Sequence, residues 1–173
     1  MDPERGLRSC SSVFMRLGRF DRARTFLALE AGSDWTTQVE SFVRLWSGDL
    51  AGATEIAAKL PAEHPIRQLF MACSNPDKGL LKQKGKEARE LGSDDSESFF
   101  IAAAIFAACG EPDTAVALLR RSIDQNYCAP EVFDRDYPVG MLRDHPQWDS
   151  LRREAIACRD RFQSYVDRHP PPS

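Results

Sequence analysis

The chain has 173 residues, 42% of them hydrophobic and 28% charged, with a net charge of −3. That is enough for one domain with its own core, or for a short run of repeats. The acidic balance argues against a general nucleic-acid or anionic-membrane binder, which needs a basic face, and no apolar run approaches the roughly 18 residues of a membrane span.

Strand signals are nearly absent and helical ones run throughout, so the class is all-α. The first helix–turn–helix is read around LGRFDRARTFLAL (17–29), with Leu7, Cys10, Ser11 and Phe14 before the turn and Ala23 and Leu27 after it. The second begins with WTTQVESFVRLWSG (35–48), which sets Trp35, Val39, Phe42, Val43 and Trp46 on one broad face, and continues in SGDLAGATEIAAKL (47–60). The third is the most divergent: Arg67 and Gln83 fall where a small and a large apolar residue are expected, and Gly79 is matched to the Ala that opens the other second helices. In the fourth, SFFIAAAIFAACG (98–110) is apolar almost all round, with Asp94 expected as N-cap and Glu97 closing a capping box. CGEPDTAVALLRRSI (109–123) then turns at Gly110 and resumes at Pro112. The last helix is expected over 145–169, capped by Asp144 and opened by Pro146. Trp148, Leu151, Ala155, Cys158, Phe162 and Tyr165 form one stripe that should lie on the body along its whole length.

The alanines Ala23, Ala53 and Ala115 stand 30 and then 62 residues apart, which is a period near 31. With their small and aromatic neighbours (Phe99, Ala102, Ala103 and Phe106 in the fourth unit) they resemble a degenerate tetratricopeptide repeat. The stretch Asn126-Tyr127-Cys128, then Asp136-Tyr137-Pro138 through Leu142-Arg143-Asp144-His145-Pro146 to Trp148, is similar to the closing segment of tetratricopeptide arrays in bacterial serine/threonine kinases and winged-helix regulators. The resemblance implies a right-handed α-solenoid of about four helix pairs, over about 4–33, 34–63, 64–93 and 94–128. A connection and long capping helix follow over 129–169, with a flexible tail at 170–173.

It also implies a polypeptide-binding role within a regulatory protein. Helical phase assigns Arg8, Ser12, Met15 and Arg16 to the exposed face of the first unit's leading helix, Gln38, Phe42 and Leu45 to the second, Gln68 and Met71 to the third, and Phe100 to the fourth. A peptide or partner helix lying in a concave groove would meet these residues. The runner-up is a structural or oligomerising spacer, whose groove is filled by its own cap or by a second copy as a homodimer.

The three histidines flank prolines or lie in the tail, and no nucleophile motif, cofactor motif or metal-ligand spacing is present, so neither catalysis nor a cofactor is expected. The Lys-rich run 78–89 reads as a solvated face or as a docking patch for an acidic partner. Cys73 and Cys109 read as small buried thiols, and cytoplasm is the expected compartment, with an extracytoplasmic place as the alternative if the chain is a fragment of a membrane-anchored regulator. For Cys128 and Cys158 two readings stand: an apolar contact, or a disulfide pinning the cap to the array if the domain is exported.

Overall fold

A chain that reverses direction just after a helix ends most easily on a residue with positive φ. The computed structural model, which describes residues 4–30 and 32–169 and side chains from Cys10 onward, uses that device repeatedly. Helix α1 (Glu4–Arg16) ends toward Gly18, α3 (Asp34–Trp46) toward Gly48 and α7 (Ser96–Ala108) toward Gly110, with φ of 69°, 87° and 79°. Each glycine N–H returns to the carbonyl three residues back, and the next N–H to the carbonyl five back: Gly18 to Met15 and Arg19 to Phe14, Gly48 to Leu45 and Asp49 to Arg44, Gly110 to Ala107 and Glu111 to Phe106. This is the Schellman closure, three times over. Helix α8 (Pro112–Asp124) ends the same way on Asn126, with φ of 70°.

The partners that follow are α2 (Phe20–Leu27), α4 (Leu50–Ala57) and α8. They pack on α1, α3 and α7 respectively as antiparallel hairpins. Ala23, Ala53 and Ala115 are each fully buried, as a small residue must be where two helix backbones approach closely. Between the second and fourth hairpins come α5 (Pro65–Ser74) and α6 (Lys78–Glu90). Helix α5 ends without glycine, on an extended Asn75 before Pro76. The match to Gly79 is corrected here: Gly79 is exposed in the first turn of α6, and Gly85 is the buried small residue, at intervals of 32 from Ala53 and 30 from Ala115.

The chain divides into two compact units. The first runs to Lys84 and includes Asp136–Pro138. In it α2 and α1 pack on α3, and α4 packs on α5. Its core holds Met15, Leu27, Val39, Phe42, Val43, Leu45, Trp46 and Phe70.

The second unit holds Gly85–Arg135 and continues from Val139. Here α11 (Trp148–Arg168) packs on α8 and on the short α9 (Pro130–Arg135). Helix α8 also ties down the start of α7 and the connection before it: Ser122 Oγ donates to the Ser96 carbonyl at 2.8 Å, and Gln125 Nε2 to the Ser93 carbonyl at 2.8 Å. Between α9 and α11 lies one further turn of helix, α10 (Tyr137–Gly140).

Two caps differ from expectation. Asp95, rather than Asp94, caps α7, accepting from the N–H groups of Glu97 and Ser98 at 3.1 and 3.3 Å. Helix α11 begins at Trp148, after Pro146 rather than on it, and His145 Nδ1, not Asp144, accepts from the Gln147 N–H at 3.2 Å. The expected tail 170–173 lies outside the described residues.

Candidate functional site

In the first unit, the leading helices place the predicted groove residues unequally. Met15 and Phe42 are each 3% exposed, Leu45 1% and Phe100, in the second unit, 0%. These four are core residues, which corrects their assignment to an exposed face: a helix flanked on two sides buries a wider arc than one amphipathic stripe. Phe100 is further covered by the Tyr127 ring, at 4.8 Å between centroids. Ser12, Gln38, Gln68 and Met71 are half-buried. Gln68 accepts from Lys84 Nζ at 3.1 Å. The side chain of Arg8 lies outside the described residues.

Arg16 has a role its phase did not disclose. Its Nη1 donates to Oδ2 of Asp136 at 3.2 Å, and Trp46 Nε1 donates to the same oxygen at 2.7 Å. The guanidinium also lies over the Trp46 ring, 5.0 Å from its centroid, and Phe42 stands against that ring at 6.1 Å. Asp136 is 3% exposed. Burial raises its carboxyl above the ordinary aspartate value, against the opposing effects of Trp46 and Arg16. Tyr137, the next residue, rests on Gly48, its nearest ring atom 3.4 Å from where a Cβ would stand. The partners of Asp136 are 90 and 120 residues away, and no local pattern could have named them.

An open cleft of about 360 Å³ in the same unit is lined by Arg24, Leu27, Thr36, Glu40 and Ile56 of α2–α4 and by Lys59 just after α4. The Arg24 and Glu40 side chains face each other across 3.7 Å. This cleft was not anticipated from sequence.

In the second unit Cys128 and Cys158 form a disulfide, so of their two readings the covalent one holds. It joins the loop after α8 to the core face of α11, which also buries Trp148, Leu151 and Ala155. Around it, Arg120 reaches Glu154 at 3.1 Å, Arg152 makes a fork of two 2.9 Å bonds to Asp134, and Arg159 meets Glu131 at 3.1 Å. Hydrogen bonds from Arg152 hold the Asp134 carboxyl below its ordinary range. Neither Cys73 nor Cys109 is a free thiol, contrary to expectation, whereas Cys10 is one.

The stripe on α11 also departs from its predicted course. Trp148, Leu151, Ala155 and Cys158 are buried, but Phe162 and Tyr165 are 62% and 57% exposed. No helix among the described residues is long and apolar enough to cross a membrane. Comparison of the chain with protein-family models, with curated proteins and with solved structures found no match.

Proposed function

We propose that the chain is a non-enzymatic, tetratricopeptide-like helical-repeat domain that binds a polypeptide segment of a partner. The supporting observation is the recurrence of one hairpin design, with a glycine-ended leading helix and a buried alanine five residues on, at α1–α2, α3–α4 and α7–α8. Such pairs cannot bury their apolar faces alone, and in a stacked solenoid they present their leading helices along one side. Because Met15, Phe42, Leu45 and Phe100 are core, the ligand in this reading is held through Ser12, Gln38, Gln68 and Met71, by polar contacts and one thioether. The Cys128–Cys158 disulfide favours an oxidising compartment over the cytoplasm.

Repeat architecture defines a kind of surface, and only the surface's own chemistry defines its ligand. A photo-crosslinking residue placed at Gln68 and, separately, at the exposed Glu55 of α4 tests the reading in the organism's own extract. A discrete adduct from position 68 and none from 55 is expected. Equal adducts from both would sink it.

One observation favours a second reading, a spacer whose groove is filled by its own chain: Asp136 occupies Arg16 and Trp46 in the first unit. In that case position 68 yields no adduct, or only an adduct to a second copy.

A further inference from the structure

Helix α11 continues for ten residues beyond Cys158, its last buried residue, which is about 15 Å of helix. The apolar recurrence does not stop with burial. Phe162, Tyr165 and Val166 follow Cys158 at helical spacing and stay on one stripe, and both aromatics are more than half exposed. Charge along this end is sorted by face. Arg161, Tyr165 and Arg168 are four and three residues apart, so the two arginines edge the stripe, and neither makes a hydrogen bond or ion pair among the described residues. Asp160 and Asp167, seven apart, fall on the opposite side and are engaged there, Asp160 by Arg159 at 2.9 Å and Asp167 by Gln163 at 2.8 Å. The other edge of the stripe carries Arg159 and Gln163, whose polar groups are taken up by Glu131, Asp160 and Asp167, so the unengaged charge lies on the Arg161–Arg168 edge.

That pattern argues against a second copy of this helix as the occupant. Packed antiparallel about a two-fold axis, the Arg161–Arg168 edge would meet itself; packed parallel, it would meet Arg159 and Gln163. The antiparallel arrangement sets Arg161 and Arg168 against their own copies with no anion between them, and in the parallel one they meet an arginine whose carboxylates, Glu131 and Asp160, are already engaged. The complementary surface is apolar along its centre and acidic along the margin that faces Arg161 and Arg168.

We infer that the distal end of α11 is a docking site for an acidic amphipathic polypeptide segment. Phe162 and Tyr165 supply the apolar anchors, and Arg161 and Arg168 pair with carboxylates of the partner. The disulfide at Cys158 holds the near end of this surface on the second unit, which pre-organises it. The site is independent of the groove discussed above, and either can fail without the other.

The probe is a pair of synthetic amphipathic helical peptides with the same Leu/Phe face, one flanked by glutamates and the other by lysines, titrated against the whole chain by fluorescence anisotropy at physiological salt. The glutamate peptide is expected to bind at least about tenfold more tightly, a difference of about 1.4 kcal/mol. Phe162→Ala/Tyr165→Ala should abolish that binding, and Arg161→Glu/Arg168→Glu should reverse the preference. These exposed positions leave the fold in place, which circular dichroism of each variant verifies. Equal affinity for both peptides, or binding unaffected by loss of the aromatics, overturns the inference. So does tighter binding to vesicles containing about a third phosphatidylserine than to the glutamate peptide, or dimerisation lost in the aromatic variant.

Discussion

The two units secure a late stretch of chain by opposite means. The first holds Asp136–Pro138 by one buried carboxylate, with Arg16 and Trp46 donating to a single oxygen. The second holds α11 by a covalent bond, Cys128–Cys158, surrounded by half-exposed arginine pairs. A buried ion must be desolvated before it can be paired, so the first device returns less stability than its short contacts suggest. A disulfide acts largely on the unfolded chain and makes no such demand of the folded one.

The largest effect should come from the covalent device. Replacing both cysteines, Cys128→Ser/Cys158→Ser, frees a connection of 30 residues and should cost about 3–4 kcal/mol. Urea denaturation of the second unit's signal measures this, and the serine pair is preferable to a reductant, which acts on the other oxidised cysteines as well. Asp136→Ala follows at about 3 kcal/mol, because it leaves the Trp46 N–H and the largely buried Arg16 without their shared acceptor.

Asp136→Asn separates charge from hydrogen bonding. The amide oxygen can still accept from Trp46, so the cost at neutral pH should stay within about 1 kcal/mol. The pH profile should change more. Burial raises the Asp136 carboxyl, so its stabilising contribution is complete below the ordinary value of 3.8 and is lost as pH rises through the raised one. Asp49, Asp95, Asp134 and Glu154 are lowered, so theirs is present at neutral pH and lost on acidification. The asparagine variant should therefore lose the decline on the rising side and keep the acid limb. Parallel profiles for the two proteins would show that Asp136 is not buried in solution.

The smallest effects test the turns. Gly18→Ala, Gly48→Ala and Gly110→Ala should each cost about 1 kcal/mol, since alanine is strained at positive φ. Gly79→Ala should fall within about half a kcal/mol of zero, because the helical preference for alanine is offset by the approach of its Cβ to Asp77 Oδ1 at 3.0 Å. Thermal melts rank all four.

Much of the fold was legible because its signals are local. A glycine between two apolar stripes, with alanine five residues on, specifies a hairpin by turn chemistry and close approach alone, and Gly18, Gly48 and Gly110 turn where the pattern put them. The divergent pair was read less well, since without a turn glycine the register slid six residues, from Gly85 to Gly79. The candidate site was harder. Helical phase names a face but not the number of neighbours covering it, so Phe42, Leu45 and Phe100 read as groove anchors and prove to be core.

What the sequence determined by itself, then, is the longer helices, the pairing within the three glycine-turned hairpins and the candidate sulfur pair. All of these rest on residues within a few turns of one another or on a short list of cysteines. Only the tertiary structure decided that Asp136 is drawn to Arg16 and Trp46, and that the stripe of α11 outruns its partner after Cys158. A long-range partner is chosen by geometry summed over the whole chain, and an apolar residue carries the same signal whether its neighbour is the protein's own core or another molecule.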